Sequence, residues 1–173
     1  MNRNLRWVFS TLPALAVAAS TTLHAAAPRR VTIVDYYLQL PEKTFERSAK
    51  EWLAFLRQPN CGVCDLANGY LSCIGDGAQP AFEVALFRYQ DSRPLLAVCQ
   101  GELEGPNSKY LAFYEPDLGG RMQQVKRSIF PVADGKGCVF ELPRKGRTII
   151  VRAEKGGKVR ATYTWNGEKF AQP

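Results

Sequence analysis

Apolar positions change their period once along this chain, dividing it into a helical beginning and a β remainder. Phe45, Ala49, Trp52, Leu53 and Leu56 recur at three- and four-residue spacing, which predicts an amphipathic helix over residues 42–57. Pro41 suits the first helical position, Glu46 and Lys50 form an i,i+4 pair, and Pro59 and Asn60 stop the element. An apolar stripe at this spacing reads as a face packed on a sheet. Before it, residues 31–40 (VTIVDYYLQL) are rich in β-branched and aromatic side chains and read as the start of a strand.

From residue 65 onward the alternation is that of strands. Residues 65–74, 81–89, 94–100 and 109–115 are short apolar runs separated by turn residues. Residues 148–154, 159–165 and 168–171 are joined by Gly156-Gly157 and Asn166-Gly167, dipeptides suited to the positive φ of tight hairpins. In this meander Ile149, Val151, Ala153, Val159, Ala161, Tyr163, Trp165 and Phe170 share the expected core face. Thr148, Arg152, Arg160, Thr162 and Thr164 take the other, bordered by Lys155 and Lys158. The fold class expected is α+β, with an N-terminal helix packed on a twisted, mainly antiparallel sheet of about seven or eight strands that can curl toward a barrel.

The first residues alter the setting. Arg3 and Arg6, a short apolar run over 7–19 and the small residues of 21–27 have the form of a secretory signal peptide, expected to span 1–25 and to leave a single exported domain over 26–173. The run is shorter than the roughly 20 residues a bilayer span needs, so no transmembrane segment is expected after cleavage. The expected location is the periplasm or the exterior. His24, the only histidine, lies within the leader, so a mature chain has none for general base or metal-ligand chemistry.

Charge is unevenly placed. Residues 31–120 hold 7 Lys/Arg against 12 Asp/Glu, and residues 121–173 hold 12 against 4. The face carrying Arg152, Lys158 and Arg160 is therefore the candidate surface for an anionic partner, such as a cell-envelope component or an exported protein. Nucleic acid is not an expected partner of an exported domain.

Five cysteines, Cys61, Cys64, Cys73, Cys99 and Cys138, matter in an oxidising compartment. Cys61, Cys64, Cys99 and Cys138 are the candidate disulfide cysteines, and sequence alone does not choose among the pairings. Cys61-Gly62-Val63-Cys64 follows a helix rather than opening one, so nothing evident lowers a thiol pKa there, and a structural role is favoured over redox catalysis or a zinc knuckle. Asp65 in place of His after Cys64 excludes haem attachment. No carboxylate pair, calcium loop or phosphate-cradling glycine loop is evident, and no catalytic, cofactor or metal residue is assigned.

The segments VDYYLQLPEKTF (34–45), NGYL (68–71), VALFR (84–88), ELPRKGRTI (141–149) and YTWNGEKF (163–170) together resemble a group of small exported bacterial domains. The resemblance implies a secreted α+β domain and transfers no active site. The function expected from the residues is a non-catalytic binding module. Its alternatives are an inhibitor of a cell-wall-degrading enzyme, with residues 61–77 as the blocking loop, and a thiol oxidoreductase using Cys61 and Cys64.

Overall fold

In the computed structural model, which describes residues 30–75, 77–78, 80–101, 108–132 and 137–173, the chain opens with helical turns and continues as two antiparallel meanders. The expected leader and His24 lie outside the described residues.

The stretch expected to begin as a strand is helical. Helix α1 spans Ile33–Tyr37, and its entry is fixed by Asp35, whose carboxylate accepts from the Thr32 amide and hydroxyl, each at 2.8 Å. This capping box outweighs the β propensity of the run. The helix expected over 42–57 is shorter and divided. A single 3-10 turn, Glu42–Thr44, ends at Phe45, which is extended (φ −128°, ψ 159°), and helix α2 spans Ala49–Leu56. Ser48 and Glu51 form its capping box, with Ser48 Oγ and N both donating to Glu51 Oε2 at 2.7 and 3.0 Å. Pro41 therefore precedes the 3-10 turn instead of opening α2, and Glu46 lies outside the helix it was expected to share with Lys50.

The expected single sheet of seven or eight strands is two sheets, with ten strands among the described residues and no closed barrel. The larger holds β1 (Gly62–Asp65), β2 (Tyr70–Cys73), β3 (Phe82–Arg88), β4 (Pro94–Gly101), β5 (Ser108–Pro116) and β6 (Met122–Gln124) in chain order. The run expected as one strand over 65–74 is thus the turn and return of the β1–β2 hairpin. The smaller sheet holds β7 (Cys138–Glu141), β8 (Thr148–Ala153), β9 (Val159–Trp165) and β10 (Phe170–Ala171), also in chain order.

Alternation along the large sheet feeds two cores. Leu71, Cys73, Phe82, Val84, Leu96 and Val98 face α1 and α2, where Ile33, Tyr37, Trp52 and Leu56 are buried. Ala85, Phe87, Leu95, Ala97, Leu111 and Phe113 face the small sheet and pack on Phe140, Ile149, Val151, Trp165 and Phe170. The large sheet is the middle layer of three, and residues 94–99 of β4 are all buried.

The small sheet lies across the large one. The Cys99 thiol on β4 points at the Phe140 carbonyl (3.8 Å), the Leu142 amide just beyond β7 donates to Glu83 on β3 (2.9 Å), and Arg144 reaches Asp65 on β1 (2.8 Å). Positions along β7 and the loop that follows it thus step across β4, β3 and β1 of the large sheet, the arrangement of orthogonal packing.

In the C-terminal meander, Ile149, Val151, Trp165 and Phe170 are buried, and Ala161 and Tyr163 pack on them, as the alternation predicts. Val159, at 44 % exposed, and the half-buried Ala153 are the exceptions. A register shift pairs Val151 with Ala161 but Arg152 with Val159, so Arg160 is the extra residue of a bulge and the alternation fails beyond it. No helix among the described residues is long and apolar enough to cross a membrane.

Candidate functional site

Of the residues proposed from sequence as one basic face, Arg152 and Arg160 are engaged with other groups and Lys158 is exposed. Arg152 is ion-paired, with Nε donating to Glu141 Oε2 at 2.8 Å and Nη1 donating to the Gly157 carbonyl. Arg160, displaced by the bulge, donates from Nη1 to the sulfur of Cys138 at 3.2 Å, at the margin of the core. Lys158 is exposed beside the β8–β9 turn.

No disulfide joins any of the five cysteines, which corrects the expectation for Cys61, Cys64, Cys99 and Cys138. The reason is geometric. Cys64 lies in extended β1, and the Cys61 carbonyl accepts from the Ile74 amide, continuing the same ladder. Three residues of strand separate two Cα atoms by about 10 Å, beyond the reach of a disulfide. Cys99 and Cys138 both enter the core between the sheets, but the Cys99 thiol is directed at Phe140, two residues along β7 from Cys138. Among the described residues no group of three or more His, Cys, Asp or Glu side chains is arranged to hold a metal ion.

The notable site is a cleft of about 430 Å³ where four parts of the chain meet: the segment entering α1, the β1–β2 turn, the end of β3 and the β7–β8 loop with Trp165. Arg30, Arg88 and Arg147 line it. Among the described residues no Asp or Glu does, and none of the three arginines is paired with a carboxylate.

Each wall is held by specific contacts. In the β1–β2 turn, Asp65 accepts from the Asn68 amide N (3.2 Å) and Nδ2 (2.9 Å), while Gly69, at φ 66°, offers its carbonyl to the Leu86 amide. A side chain at Gly69 would meet Leu86 Cβ at 3.0 Å, so the turn closes on β3 only with glycine there. Asp65 also binds Arg144 Nε, pinning the β7–β8 loop to the same turn. The Asn68 and Arg144 hydrogen bonds hold the Asp65 carboxyl down to about 2. Trp165 locks the remaining walls together: its indole N–H donates to the Arg88 carbonyl at 2.7 Å, and its amide donates to the Arg147 carbonyl at 2.9 Å. Arg88 Nη1 donates to the Ser92 carbonyl, fixing that guanidinium at the end of β3.

The β7–β8 loop separates this cleft from a second of about 460 Å³, lined by Tyr70, Glu83, Glu141, Arg144, Lys145 and Thr148 among others. There Glu83 accepts from the Tyr70 hydroxyl (2.8 Å) and the Leu142 amide (2.9 Å). Burial between the sheets raises its pKa, and the nearby Glu141 adds to the rise. Carboxylates and cations balance in that cleft. In the first they do not.

Sequence reading missed all three arginines. Arg30 precedes every predicted element, Arg88 closes a strand, and only Arg147 belongs to the basic half of the chain that drew attention. Comparison with family models, curated proteins and solved structures gave no match.

Proposed function

We propose that the protein is a non-catalytic binding module of the periplasm or extracellular space, and that it takes an anionic ligand in the cleft of Arg30, Arg88 and Arg147. One observation carries the reading: three arginines line one concavity with no Asp or Glu among its described lining residues. Arginines around one cleft with no described carboxylate in its lining leave local positive charge unopposed, which an anion would offset. Arginine is also the side chain best suited to bidentate contact with phosphate or carboxylate oxygens. The backbones of Arg88 and Arg147 are tied through Trp165, so the points from which two of the three arginines extend are fixed before a ligand arrives.

The test is calorimetric titration of the exported form with tripolyphosphate at low and high salt. Binding should weaken with salt, because the charges sit at the surface and are screened. Arg88→Gln and Arg147→Gln should each weaken it about tenfold, the range for losing one charge-assisted contact. Lys158→Glu with Arg160→Glu is the comparison for the face proposed from sequence. If that double variant loses binding while Arg88→Gln and Arg147→Gln retain it, the site lies on the outer face of the small sheet. Unchanged affinity in every variant rejects an arginine-based site.

A further inference from the structure

We infer that the ligand of the arginine cleft is an amphipathic anion, an acidic head attached to a hydrocarbon chain, of which an alkyl phosphate is the simplest representative. This rests on the anion-binding reading and specifies the class of molecule.

The lining divides into two chemistries. One is the cationic set, Arg30, Arg88 and Arg147; the other is apolar. Ile33, Phe87 and Trp165 are buried beneath the cleft, and Leu86, only partly covered, gives its floor an apolar surface. Val31 and Leu66 line the same cleft at 48 % and 51 % exposed. Exposed apolar residues scattered singly need no explanation. Two that line the same cleft as three arginines without carboxylate partners among the described residues form a surface of defined composition.

The uncharged side-chain donors of the lining are already engaged. Asn68 Nδ2 donates to Asp65, the Thr32 hydroxyl to Asp35, and the Trp165 indole N–H to the Arg88 carbonyl. A sugar or other polyhydroxyl ligand depends on such donors and would find few. A small hydrated anion would satisfy the guanidiniums but leave Val31 and Leu66 in water. An anion with an alkyl chain uses both halves of the lining, and about 430 Å³ holds the head and several methylenes of one such molecule.

Calorimetric titration with methyl, butyl and octyl phosphate, each below its micelle concentration, tests the inference. A methylene leaving water tightens binding by up to about fourfold, so octyl phosphate should bind at least about tenfold more tightly than methyl phosphate even if only part of the chain is covered. Val31→Ser with Leu66→Ser, both at exposed positions, should flatten the chain-length series, with octyl phosphate falling toward the affinity of methyl phosphate. Arg88→Gln with Arg147→Gln should weaken every member. Competition by phosphatidylglycerol vesicles, but not phosphatidylcholine vesicles, would identify a membrane lipid as the source of this chemistry; octyl phosphate binding indifferent to both would identify a soluble amphiphile. A flat series in the unaltered protein, with methyl phosphate bound, overturns the amphipathic inference and leaves the anion site standing. No binding of any phosphate overturns both. Octyl glucoside binding as tightly as octyl phosphate shows that the head charge is irrelevant and rejects the inference.

Discussion

Two carboxylates at the root of the β7–β8 loop are shifted in opposite directions. Asp65, held down to about 2 by Asn68 and Arg144, contributes stability above the ordinary aspartate range and loses it as pH falls toward 2. Glu83, raised by burial, behaves in the reverse sense: its contribution is greatest below the ordinary glutamate range and is lost as pH climbs through its raised value. Asp65→Asn should therefore lower the urea midpoint at pH 7, with the difference closing as pH approaches 2. Glu83→Gln keeps an oxygen for the Leu142 amide and a donor for Tyr70, so the balance should move in the variant's favour between pH 4 and pH 8. A constant difference across either range would mean that these groups titrate alike in the folded and unfolded chains. Trp165 is a separate case, 1 % exposed and donating to the Arg88 carbonyl. Trp165→Ala should cost about 3 to 5 kcal/mol in chemical unfolding, the range for removing a large aromatic from a core.

Among the elements, the two short helices show how local chemistry competes with periodicity. Thr32 with Asp35, and Ser48 with Glu51, are capping pairs present in the string, but the β-branched run after Val31 and the stripe beginning at Phe45 point elsewhere. Phe45 is apolar for another reason: extended before α2, it packs its ring 4.8 Å from that of Phe82. Ser48→Ala should cost about 1 kcal/mol and Lys43→Ala almost nothing, measured as shifts in unfolding midpoint; equal effects would place the helix start before Ser48. The last hairpins were legible because Gly156, Gly157 and Gly167 take the positive φ their turns require. The bulge at Arg160 was not, since it exists only as a mismatch with β8 and no single strand carries the signal. Nor could the string show that Cys61 and Cys64 flank an extended segment, which decides against their pairing.

At the scale of the whole molecule, the β character and the C-terminal meander were readable, whereas the division into crossed sheets and the arginine cleft were not. Arg30, Arg88 and Arg147 are far apart in sequence and become neighbours only because β7 and its loop cross the strands of the large sheet. Local patterns fix elements, but the crossing of layers determines which strand ends meet. The middle position of the large sheet has a kinetic consequence. β4 is paired on both edges and covered on both faces, by helices on one side and by the small sheet on the other. Loosening either outer layer leaves the other in place, so its amide protons should reach solvent only when the whole domain opens. Deuterium uptake should therefore be slowest over residues 95–99 and fastest in β10, a two-residue strand at a sheet edge. If β4 exchanges as early as β10, the two layers do not act together to protect it.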